Sequence, residues 1–137
     1  MTPELTELAR RAVACKGWRW MPGMAYEERG RKYRVDESYL ASARENWHHG
    51  CTLVLSDPAT LGCLLALVRE AWRCPTVYVR QGTTRRVSDG VLAWEVCDLC
   101  LDTEACRALG VDRQGSVGSW GHGSEAEALV DALEAAP

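Results

Sequence analysis

Apolar residues recur at helical spacing in three stretches of the chain, and these predict its three main helices. In the stretch Ser56 to Trp72, Leu61, Leu64, Leu65, Val68 and Trp72 share one face, while Ala59, Cys63, Ala66 and Leu67 leave little of the other face polar. A helix so apolar all round belongs in a core. Ser56 or Asp57 can cap its first amides, and Pro58 suits the first turn, where a missing N–H has no partner to lose. The run falls short of the roughly 20 apolar residues of a membrane span, and Arg69 and Glu70 interrupt it, so a core helix is predicted rather than a transmembrane one. Gly62 inside the helix predicts that a second backbone passes close by.

Thr2 and Pro3 open an amphipathic first helix whose stripe is Leu5, Leu8, Ala9, Ala12 and Val13 and which stops at Gly17. Near the other end of the chain, Ser124 and Glu127 form a capping box ahead of the stripe Ala126, Leu129, Val130 and Leu133. A period of two marks the strands. Trp18 to Met21 reads as a short strand with both indoles on one face, ended by Pro22 and Gly23. After Pro75, Thr76 to Arg80 alternates as a strand, Gln81 to Thr84 is the predicted turn, and Arg85 to Val96 resumes β character, broken at Asp89-Gly90. These two runs are expected to pair antiparallel.

Between them the pattern weakens. Tyr26 to Arg34 carries charges of both signs and predicts a solvated turn or exposed hairpin that adds little core. Asp36 is the predicted cap of a short helix carrying Tyr39, Leu40, Ala43 and Trp47 and ending at His48, His49 and Gly50. Gly115 to Gly123 reads as a loop or an edge strand. The expected fold is α+β: a small, largely antiparallel sheet packed with three amphipathic helices as a layered α/β sandwich. The 137 residues suit one domain, with a charged insert at residues 25–50 and a cysteine-containing insert at residues 97–115.

A first helix followed by GWRW, the SDPATLGCLLALVREAW helix, a two-strand segment carrying Trp94 and the closing GSEAEALVDALEAA helix resemble the small bacteriophage proteins grouped as the phage ABA sandwich domain. The resemblance leaves out the two inserts and rests on structural motifs. It implies a layered α/β fold and an origin in a phage or prophage genome, and it carries over no functional residue.

Charge then narrows the partners. A formal charge of −3 argues against a general affinity for nucleic acid or anionic membranes. With no apolar run behind a basic start, the host cytoplasm is the expected compartment, and seven cysteines, an odd number, fit reduced thiols or a metal site better than a disulfide framework.

The candidate chemistry falls into three groups. Cys97 and Cys100, a Cys-x-x-Cys pair, could hold zinc with Cys106 and His122, although strong zinc signatures carry two such pairs. Trp47, His48 and His49 offer adjacent imidazoles, with no carboxylate at recognisable spacing to orient them. Arg80, Arg85 and Arg86 with Tyr78 could form the basic lip of an anion pocket, with Trp18, Trp20, Trp47 and Trp120 as stacking surfaces. Against that stands a simpler role: in a chain without Phe, the six tryptophans must supply much of the core's aromatic volume.

No phosphate-binding glycine loop, nucleophile elbow or metalloprotease signature is present, so no catalytic residue is assigned. The leading expectation is a non-enzymatic phage accessory protein that antagonises host antiviral defence by sequestering a nucleotide signal, in a homo-oligomer, without a required cofactor. The alternatives are an inhibitor that contacts a host protein through Tyr26 to Gly50, a small zinc-stabilised module, and a nucleotide-processing enzyme using His48 or His49.

Overall fold

The computed structural model describes residues 2–42, 50–86, 92–97 and 123–137. They form an α+β structure in which two small antiparallel sheets pack against helices. The chain divides into two compact units, Met1–Cys63 and Leu64–Pro137.

In the first unit, Thr2 caps helix α1 (Pro3–Ala14), its hydroxyl accepting from the Leu5 amide at 3.3 Å. Leu8, Ala9 and Ala12 are the buried face of α1, which lies against strand β3 (Cys51–Leu53). Strands β1 (Ala25–Glu28) and β2 (Arg31–Arg34) form a hairpin. Its two-residue turn places Arg29 (φ 51°) and Gly30 (φ 77°) in the left-handed region, as a turn matched to the strand twist requires. Strand β3 (Cys51–Leu53) pairs with the other side of β1, giving the order β2-β1-β3. A short helix α2 (Glu37–Ser42) follows the hairpin.

The first turn of helix α3 (Pro58–Ala71) is tied to this sheet through Thr60. That hydroxyl is fully buried, accepts from the Ala25 amide at 2.8 Å and donates to Asp57 Oδ2 at 3.1 Å. The charged run Tyr26 to Arg34 is the expected exposed hairpin, and of its residues only Tyr26 is buried, because β1 is the central strand and is covered on both faces: Ala25 meets the α3 turn and Tyr26 meets Trp20. Trp18 to Met21 makes no strand. The Trp18 amide instead donates to Cys15 O at the end of α1, and Met24 donates to Met21 O as the chain turns at Gly23 (φ 97°).

In the second unit, Leu64, Leu67 and Val68 form the buried face of α3, and Trp72, just past its end, is buried with them. Burying each aliphatic side chain contributes about 1.5–3 kcal/mol relative to exposure. The helix ends at Arg73 (φ 51°), with Cys74 N–H returning to Arg69 O at 2.9 Å. Strands β4 (Tyr78–Arg86) and β5 (Leu92–Cys97) pair antiparallel, with a register shift between Gln81 and Arg86. The turn predicted at Gln81 to Thr84 lies inside β4. Its two threonines favour extended backbone, and the strand runs on to Arg86. Helix α4 (Glu125–Glu134) packs on both strands, and Trp72 Nε1 donates to Ala132 O at 2.8 Å.

The capping box at the start of α4 is present in modified form. Ser124 Oγ accepts from the Glu127 amide, while the Glu127 carboxylate accepts from Gly123 rather than from Ser124. Among the described residues, no helix is long and apolar enough to cross a membrane.

Candidate functional site

Aromatic side chains of the first unit form a connected series from its core to its surface. Trp18 and Trp20 meet edge to face at 5.6 Å, Trp20 meets Tyr26 at 6.1 Å, and Tyr26 stacks on Tyr33 at 5.3 Å with ring planes 23° apart. Trp20 is only 9% exposed, so its ring fills the core. Trp18 Nε1–H is buried without a hydrogen-bond partner. The series ends at Tyr33, which at 43% exposure is the one exposed large hydrophobic residue among those described. Tyr33 belongs to β2, whose four residues, Arg31, Lys32, Tyr33 and Arg34, are all exposed.

The two faces of β2 differ. Alternation puts Tyr33 and Arg31 on the face of Tyr26, and Lys32 and Arg34 on the face of Ala25 and the α3 turn. There, Arg34 donates to Gly23 O at 2.5 Å and to both oxygens of Asp57, at 2.9 and 3.2 Å. The pair is unequal in exposure, 54% for the guanidinium side chain and 18% for the carboxylate. The Arg34 guanidinium, followed by hydrogen bonds from Thr60, holds the Asp57 carboxyl below its ordinary value. Asp57 also accepts from the Thr60 amide at 2.9 Å, so one carboxylate both caps α3 and fixes Arg34. A recess of about 340 Å³ opens beside this pair, lined by Lys32, Arg34, Ser56 and Asp57 among others. Arg29, Arg31 and Lys32 make no ion pair among the described residues.

The backbone of β2 is also available. Met24 and Val35 are a hydrogen-bonded pair, Val35 N–H donating to Met24 O at 2.8 Å. Alternation along the antiparallel ladder then makes Tyr26/Tyr33 and Glu28/Arg31 the bonded pairs. The N–H and C=O groups of Lys32 and Arg34 therefore point away from β1, and among the described residues β2 has no other strand partner.

The residues singled out in the sequence are distributed differently. Trp18 and Trp20 lie in the first unit, and Tyr78 and Arg80 in the second. On the β4–β5 ladder, Tyr78 stands opposite Cys97, and Arg80 opposite Glu95, whose carboxylate it meets at 3.3 Å. Arg85 and Arg86 are in β4, but their side chains lie outside the description. Trp47, His48, His49, Cys100, Cys106, Trp120 and His122 also fall outside the described residues. Cys97 is buried, and burial pushes its thiol above the ordinary value while Arg80 acts in the opposite direction. Among the described residues, no three His, Cys, Asp or Glu side chains group as metal ligands.

The sequence pattern marks Tyr26 to Gly50 as a contact surface and Asp57 as a helix cap, but singles out none of Arg31, Lys32, Tyr33 and Arg34 and gives Asp57 no further role. The available signal was the symmetry about Arg29-Gly30: a two-residue turn there sets Tyr26 opposite Tyr33 and leaves RKYR as the outer strand.

No family model matches the chain, and neither a curated protein nor a solved structure matches it significantly. The functional reading therefore rests on the site itself. Its elements are an exposed ring, cations without an ion pair among the described residues, and strand-edge groups that point away from β1.

Proposed function

We propose that the chain is a non-enzymatic binding protein that engages a partner protein through the β1–β2 hairpin and the outer edge of β2. The observation that carries this reading is the strand Arg31–Arg34, exposed at every residue, in which Tyr33 is backed by the buried Tyr26 and Trp20. A ring held in place by stacking loses little freedom on binding, which is why aromatic and arginine side chains dominate interface energetics. The sequence resemblance suggests the setting: a bacteriophage accessory protein acting on a host process in the host cytoplasm. The test is quantitative affinity capture from host extract by the wild-type chain and by an Arg31→Glu/Lys32→Glu variant whose melting temperature is unchanged. The proposal expects a stoichiometric partner protein that the variant no longer retains. Equal capture by both would contradict it.

The recess beside Lys32 and Ser56 favours a second reading, capture of a nucleotide-like signal, since its volume lies at the lower end of small-molecule sites. Arg34 is already committed to Asp57, leaving Lys32 and Ser56 to meet a phosphate. Calorimetry against a panel of cyclic and linear nucleotides decides: heat that is lost in Lys32→Ala supports capture, and no heat removes it.

A further inference from the structure

We infer that β2 recognises an extended acidic segment of its partner as an added strand, with a core of one apolar and two adjacent acidic residues. The inference rests on the hairpin-docking reading and names the chemistry of the partner. Its first support is the backbone. The N–H and C=O groups of Lys32 and Arg34 point outward two residues apart, the spacing at which an added strand forms its ladder.

The side chains then specify what lies opposite each position. Opposite Tyr33, the exposed ring offers an apolar contact. Opposite Lys32 and Arg31, whose β1 neighbours Glu27 and Glu28 stand across the ladder without closing an ion pair among the described residues, the cations call for carboxylates on the outer side, one on each face of the added strand. Arg34 asks for no charge, because Asp57 already neutralises it. Three consecutive partner residues are therefore apolar, acidic and acidic, read in whichever direction the strand runs.

Edge strands commonly carry cations that prevent self-association, and the same charges set two copies of β2 against each other. What deters a second copy attracts an acidic strand. Charge complementarity thus selects a different protein as occupant.

The test uses the full chain and synthetic seven-residue peptides centred on Val-Glu-Glu and Glu-Glu-Val, with Gln-Gln and Lys-Lys counterparts. One of the acidic peptides is expected to bind about five- to tenfold tighter than its Gln counterpart, from two exposed cross-strand charge pairs. That preference should shrink as salt rises, and Arg31→Glu/Lys32→Glu should transfer it to the Lys peptide. Binding should slow amide hydrogen exchange at Lys32 and Arg34 and leave the already bonded Arg31 and Tyr33 amides little changed. Equal affinity for acidic and neutral peptides, or acidic binding without slowed exchange at Lys32 and Arg34, overturns the inference. A single-stranded oligonucleotide that outcompetes every peptide overturns it as well. Failure here combined with hairpin-dependent capture from extract would leave the docking reading standing, whereas hairpin-independent capture would remove both.

Discussion

Asp57 shows how one side chain can hold several parts of a small structure in register. Its carboxylate caps α3 through the Thr60 amide, accepts from the Thr60 hydroxyl that anchors β1, and pairs with Arg34 on β2. Because its pKa is depressed in the folded chain, the unfolded chain binds more protons across the window between the two values. The stability this contributes is complete at neutral pH and is lost as pH falls below about 4 towards the lower folded value. Asp57→Asn keeps a good N-cap and removes the charge. Thermal melts from pH 7 to 3 should therefore show the variant less stable than wild type at neutral pH, with the gap closing in acid. A gap that stays constant would mean the ion pair contributes nothing. A sequence search would stop at Ser56 or Asp57 as a cap, and it could not find Arg34, which is 23 residues away and brought in only by the hairpin.

At the scale of elements, the helices were the most legible part. The caps at Thr2 and Ser124 and the apolar stripes predict α1, α3 and α4 because helix signals are local and repeat over several turns. Strands were harder to place. The run of Gly82, Thr83 and Thr84 resembles a turn in composition but lies within β4, at the register irregularity between the Gln81–Trp94 and Arg86–Leu92 pairs. Gly62 was misread in the other direction. Among the described residues, nothing lies within 4 Å of where its Cβ would stand, and the position is exposed, so no close backbone approach is seen there. Gly62→Ala should accordingly stabilise the chain by about 0.5–1 kcal/mol through helix propensity alone. Chemical denaturation would show this as a higher midpoint at constant slope, and a lower midpoint would mean that α3 needs the glycine for a reason the structure does not contain.

For the whole molecule, the class of fold was legible, and the candidate site only as a stretch: Tyr26 to Gly50 as a contact surface, with no residue of β2 singled out. Alternation and helical periodicity report burial, and burial determines that helices cover small antiparallel sheets. Exposed residues leave no such trace, so the charged run around Arg29-Gly30 reads only as a solvated turn or exposed hairpin, without marking which of its side chains would make a contact. Trp18 and Trp20 drew attention as stacking surfaces because tryptophan is conspicuous. Their packing makes them the support for Tyr33 instead, the smaller ring that reaches the surface. The central claim is that this hairpin carries the contact. The most direct measurement replaces Tyr33, and in a separate variant Arg80, with a photo-crosslinking amino acid and irradiates each in host extract. The account predicts one covalent partner adduct from the Tyr33 position, at an extended acidic segment, and none from Arg80. An adduct from Arg80 with none from Tyr33 would contradict it.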